Sequence, residues 1–141
     1  MKEILIKGQL YKFKSFQEFA EEFALGERDL IVTNEFIYKP FMKDLNLSSQ
    51  IVFQEKFGAG EPSEEMLTDI FAALDPDTYD RIIAVGGGAI MDICKVLSLK
   101  RPTSVHDLYF KKFDVIPEKE LIAIPTTCGT GSEVTNISVA I

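Results

Sequence analysis

Tryptophan is absent from the 141 residues, histidine occurs once and cysteine only twice. Two cysteines, Cys94 and Cys128, cannot make a disulfide framework. Nothing after Met1-Lys2-Glu3-Ile4 has the long apolar stretch of an export signal, so a reducing, cytoplasmic setting is expected. Both cysteines then read as small apolar packing residues. A reactive thiol at Cys128 is the competing reading, although no basic partner stands near it in sequence. No apolar run approaches the roughly 20 residues needed to span a bilayer, so no membrane segment is expected. Lys and Arg number 15 against 22 Asp and Glu, a net charge of -7. Nucleic acid is excluded as a partner, because its recognition needs clustered cations. The acidic residues are dispersed rather than gathered in a tail, which reads as solubility. No repeat or low-complexity segment interrupts the chain, whose length suits one domain around one core.

What is present is an alternation of short apolar runs and helical patterns. Ile4-Leu5-Ile6 reads as a strand and Leu10 to Phe13 as a second. Ser15-x-x-Glu18 is a capping box, and Phe16, Phe19, Ala20 and Phe23 follow at helical spacing, with Gly26 as the expected stop. Leu30 to Thr33 is a buried strand, and Asn34 is placed to cap a helix that Pro40 limits. Ile51 to Phe53 is the next strand. A loop with Gly58, Gly60 and Pro62 leads to a helix from about Ser63, carrying Met66, Leu67, Ile70, Phe71 and Leu74 on one side. After the turn Asp75-Pro76-Asp77 come a strand over Arg81 to Val85 and a helix with Ile90, Ile93, Cys94 and Leu97. The segment 101–118 has mixed polarity and is expected on the surface. Leu121 to Ile124 is a last buried strand, and Ile137, Val139 and Ile141 start another by alternation. Inner strands that are apolar throughout, alternating with helices, specify an α/β fold: a Rossmann-like, mostly parallel sheet with helices on both faces.

Two loops carry the chemistry. The run Ile83-Ala84-Val85 breaks into Gly86-Gly87-Gly88, and Ile124-Pro125 breaks into Thr126-Thr127-Cys128-Gly129-Thr130-Gly131-Ser132. In a parallel sheet, ligands bind outside the carboxyl ends of the strands, where both loops lie. Glycines let bare backbone approach a pyrophosphate, and the following helix would aim its N–H groups and positive dipole end at it. The spacing is neither G-x-G-x-x-G nor a Walker loop. Asp92 is read in the first turn of that helix, either compensating the dipole or serving the site, with Lys95 available to pair at i+3. Hydroxyls of Thr126, Thr127, Thr130 and Ser132 can donate to phosphate or ribose, or simply cap a turn. Asn34 ends a strand where dinucleotide folds use an acidic residue to hold the ribose 2′-OH; capping is its other reading.

Gly86-Gly87-Gly88-Ala89-x-x-Asp92-x-x-Lys95 resembles the GGGSxxDxxK signature of the iron-containing (group III) alcohol dehydrogenases. Pro125 to Thr135 resembles the same family's PTTAGTGSEVT almost letter for letter. The resemblance covers the whole chain, as the N-terminal dinucleotide-binding domain 1–141 of that family. Thr33 to Phe36, the stretch from Phe53 to Pro62, and Cys128 look most like the branch that acts on 4-hydroxybutyrate. The resemblance implies an NAD(P)-dependent alcohol–aldehyde oxidoreductase taking 4-hydroxybutyrate to succinate semialdehyde, a homo-oligomer at full length. Gly87 and Gly88 would bind the pyrophosphate, with Ala89 and Asp92 in the same motif. Thr126, Thr127 and Thr130 would line the cofactor, and Asn34 would sit beside the adenosine ribose. The family often has Asp at the place of Asn34, so NADP stands open beside NAD. It usually has Ser at Ala89 and Ala at Cys128.

The resemblance also implies a divalent metal, Fe or Zn, held by an Asp and several His of a helical second domain downstream. His106 alone cannot build such a site. No catalytic residue and no metal ligand is therefore expected within these residues, which makes the chain an N-terminal domain separated by cloning, proteolysis or a truncated gene. Two alternatives accompany this reading: a relative of glycerol dehydrogenase or dehydroquinate synthase, and a stand-alone nucleotide-binding module without catalysis.

Overall fold

The computed structural model describes residues 10–99, 118–126 and 137–140, with side chains described over 13–99 and 118–126. The strand expected at 4–6 and the connection 101–117 lie outside the described residues. The described chain runs β1 (Leu10–Phe13), α1 (Phe16–Glu22), β2 (Asp29–Thr33), α2 (Glu35–Phe41), β3 (Gln50–Phe53), α3 (Glu64–Ala73), β4 (Arg81–Gly86), α4 (Gly88–Leu97), β5 (Glu120–Pro125) and β6 (Ile137–Ala140). Six strands form one sheet in the order β1-β6-β5-β4-β2-β3. The pairs β3–β2, β2–β4 and β4–β5 are parallel, and β6 runs antiparallel to both β5 and β1.

The helix starts follow local chemistry. Ser15 Oγ accepts from Glu18 N–H at 3.1 Å, and Glu18 Oε1 accepts from Lys14 N–H at 2.8 Å. The box therefore closes one residue earlier than its usual form, on Lys14 rather than on Ser15 itself. Ser63 Oγ likewise accepts from Met66 N–H and starts α3. The stop of α1 differs from expectation. The helix ends at Glu22, and Ala24, not Gly26, takes the left-handed conformation at φ 51°. Ala24 N–H bonds to Glu21 O and Leu25 N–H to Ala20 O, the paired bonds of a Schellman ending. Chain direction, set by the need to bring Leu25 and Asp29 back to the sheet, overrides the preference for glycine there. In α2, Pro40 sits in the last turn, and the helix ends one residue later.

Successive residues of each inner strand face opposite layers. Leu30, Val32, Ile82 and Ala84 pack against α3 and α4 through Ile70, Phe71, Ile90, Ile93 and Cys94. Ile31, Ile83, Val85, Ile122 and Ile124 pack against α1 and α2 through Phe16, Phe19 and Ile37. In this second layer Phe13 packs T-shaped against Phe19 and Phe23, which tilt against each other, with centroid separations of 4.9–5.8 Å. Helices thus cover both faces, as the apolar strands required. Cys94 is fully buried, and burial pushes its thiol above the ordinary range, so it packs as a small apolar residue.

At the amino ends of the strands, Arg81 clamps Asp29. Its Nε donates to Oδ1 at 2.7 Å and its Nη2 to Oδ2 at 3.0 Å, while Nη2 also reaches Phe23 O. This end of the sheet is a structural anchor. The carboxyl ends carry the candidate site.

Candidate functional site

The sheet topology locates a crevice before any side chain is considered. From β2 the chain moves outward to β3, then returns past β2 to β4 and continues to β5. Direction reverses between β2 and β4, which is the switch point where open α/β sheets bind ligands. The loops leaving β2 and β4 begin at Asn34 and Gly87, one on each side of that point.

Two hydrogen bonds fix the rim. Thr33 Oγ1, fully buried at the end of β2, donates to Val85 O at 2.8 Å. Thr126 N–H, just beyond β5, donates to Gly86 O at 2.9 Å. The ends of β2, β4 and β5 are therefore held at one level, with Gly86 paired to Pro125 in the register.

The three glycines have different surroundings. A Cβ on Gly86 would stand 2.7 Å from Ile90 Cγ1, so protein packing itself excludes a side chain there. Among the described residues, a Cβ on Gly87 or on Gly88 would meet nothing within 4 Å. Their bareness leaves space over the start of α4 that no described residue fills. Gly87 is the N-cap of α4 and offers no side-chain acceptor, and the first turn contains no acidic residue. The ten-residue helix thus presents leading N–H groups and a positive dipole end that neither its N-cap nor its own first turn compensates. A pyrophosphate has the charge, acceptors and width for this cradle.

Asp92 is the fifth residue of α4 and lies in the second turn, not the first as its sequence position implied. The helix starts at Gly88, one residue sooner than the Gly-rich run indicates. Asp92 and Lys95 are both exposed, and the i+3 pairing open to them is not formed. Ala89 is half-buried at the second helical position. Asn34 stands at the N-cap of α2, half-buried, yet its side chain makes no capping bond. Thr126 is half-buried at the rim. Thr127, Thr130 and Cys128 lie outside the described residues. Asn34, Gly87, Gly88, Ala89 and Thr126 are thus brought to one rim.

Sequence reasoning missed three residues here. Thr33 was read as the end of a strand and as part of the branch-like stretch, with no role at the rim; a Thr closing an otherwise aliphatic run was the available signal. Glu55 belongs to the turn after β3, and its Oε2 accepts from Glu35 N–H, the first of α2, at 3.0 Å. Phe36, next to Glu35, is 71% exposed, the large apolar side chain that stands in solvent among the described residues. Its place off the Ile37 face of α2 was the clue. Among the described residues no cluster of three or more His, Cys, Asp or Glu offers a metal a ligand set. No helix among them is long and apolar enough to cross a membrane.

Comparison with known proteins agrees with this geometry. The family model for iron-containing alcohol dehydrogenase matches residues 9–141. The 4-hydroxybutyrate dehydrogenase of Clostridium kluyveri is 51% identical over 99% of this chain, which covers 38% of that protein. The crystal structure of an iron-containing alcohol dehydrogenase from Thermotoga maritima superposes with a TM-score of 0.54 at 29% identity, over 79% of this chain and 33% of that one. Sulfoacetaldehyde reductase from Bifidobacterium kashiwanohense, solved in complex with NAD+, shares the fold at a TM-score of 0.58 and 24% identity, over 84% of this chain and 33% of its own. The chain therefore spans a little over a third of the curated relative it matches along nearly its whole length. The chain, matched by that family model over nearly its whole length, belongs to the iron-containing alcohol dehydrogenase family.

Proposed function

We propose that this chain is the dinucleotide-binding domain of a metal-dependent alcohol dehydrogenase that oxidises 4-hydroxybutyrate to succinate semialdehyde with NAD. The observation that carries the reading is the unfilled space over Gly87 and Gly88 at the head of α4, at the switch point of the sheet. Gly87 and Gly88 would hold the pyrophosphate through backbone N–H groups. Asn34, idle as a cap, would face the adenosine ribose, with Ala89 and Asp92 following along α4. Thr126, and with it Thr127 and Thr130, would line the nicotinamide half. When bound, the nicotinamide supplies the hydride acceptor. This chain's own part is to bind and orient the cofactor and to keep the rim rigid through Thr33 and Thr126.

The substrate assignment rests on likeness to the Clostridium kluyveri enzyme. A divalent metal, Fe or Zn, would be held by a second domain, since the described residues provide no ligand set for it. A cytoplasmic, homo-oligomeric whole enzyme belongs to the same proposal.

Titration of the chain with NADH, read by the cofactor's fluorescence, tests it. Saturable binding is expected, weakened at least about tenfold in Gly87→Val, whose side chain would occupy the phosphate approach. Equal binding by the two proteins, or none by the parent at millimolar NADH, overturns the placement.

A further inference from the structure

Asn34 poses a question about cofactor choice. A carboxylate at the end of this strand hydrogen-bonds the ribose 2′-OH and repels a 2′-phosphate, whereas an amide carries no charge to do so. Read from that position alone, the site should accept NADP as readily as NAD. The fold supplies a carboxylate from elsewhere. β2 and β3 are parallel neighbours with Thr33 opposite Phe53, so the turn after β3 stands beside Asn34 and Glu35. Glu55 in that turn puts Oε2 on Glu35 N–H, one peptide from Asn34.

Its position is built rather than incidental. Gln54 is buried, and its Nε2 donates to Gly60 O at 2.8 Å. Gln54 O accepts from both Phe57 N–H and Gly58 N–H. The turn that carries Glu55 is thereby pinned on both sides. Glu35, exposed at the first position of α2, adds a second negative charge nearby, while exposed Lys56 forms no ion pair with Glu55.

We propose that Glu55 takes over the charge-discriminating role that Asn34 cannot perform, so that the site selects NAD and rejects NADP. This rests on the dinucleotide reading given above. The mechanism is repulsion between a fixed carboxylate and the 2′-phosphate, strengthened because that carboxylate also occupies the Glu35 N–H that the phosphate could otherwise use.

The test measures NADH and NADPH dissociation constants for the parent chain, Glu55→Gln and Glu35→Gln, with circular dichroism to confirm folding. The parent should prefer NADH. Glu55→Gln, which keeps an oxygen for Glu35 N–H, should shift the NADPH-to-NADH ratio toward NADPH by roughly tenfold. Adding salt should shrink the parent's discrimination, because both groups are exposed. A parent that binds NADH while Glu55→Gln leaves the ratio unchanged overturns this inference alone. A shift produced by Glu35→Gln and not by Glu55→Gln overturns it too. A parent that binds neither nucleotide overturns the dinucleotide reading, and this inference with it.

Discussion

Three adjacent glycines divide into two cases at the residue scale. Gly86 is bare because Ile90 stands where its Cβ would go. Gly86→Ala should therefore cost about 1–3 kcal/mol in urea unfolding, the usual range for forcing a methyl into packed space. Gly88 heads α4 in open space, so Gly88→Ala should leave stability unchanged or raise it by up to about 1 kcal/mol, while weakening NADH binding. Equal destabilisation by both substitutions would contradict the packing. The triple glycine announced a tight turn from the sequence. Which glycine packing requires was not legible, because that depends on where the Ile90 side chain lands one helical turn later. Ala24 makes a similar point: its left-handed backbone is dictated by the return of the chain to β2, and nothing in its neighbours' letters marks it.

At the element scale, helix starts separate structure from function. Ser63 caps α3 with a real bond to Met66 N–H, so Ser63→Ala should lower stability by about 1 kcal/mol. Asn34 occupies the equivalent position on α2 and makes no such bond. Asn34→Ala should therefore change stability by less than about 0.5 kcal/mol yet weaken NADH binding. A full capping penalty at Asn34 would restore its structural reading. The Ser15 cap was legible because both partners lie within three residues. The carboxylate that caps α2 was not, because Glu55 reaches Glu35 across the β2–β3 pairing from 20 residues away.

At the scale of the whole molecule, the layered α/β arrangement was legible in the alternation of apolar runs and helical spacing. Strand order was not, and least of all the insertion of β6 between β1 and β5, which joins nearly opposite ends of the chain. Acid stability tests one long-range link. Arg28 and Asp80, both exposed, form a two-pronged ion pair at 2.9–3.0 Å. The hydrogen bond from Arg28 holds the Asp80 carboxyl below its ordinary 3.8. The folded state thus binds this proton less readily than the unfolded chain. Its contribution is present above 3.8 and is lost as pH falls through the folded value. Asp80→Asn should lower the urea midpoint slightly at neutral pH and leave it unchanged well below 3.8. A difference that persists in acid would contradict the sign.

The anchors at the two ends of β2 and β4 carry one more consequence. Both strands are oily on both sides, so sliding one past the other by a residue would still bury apolar groups. Greasiness alone cannot choose the alignment. Asp29 with Arg81 at one end, and Thr33 with Val85 at the other, are each separated by 52 residues. They work as a vernier: both marks coincide at a single setting of the strands, and that setting is the one that levels Asn34 with the glycine loop.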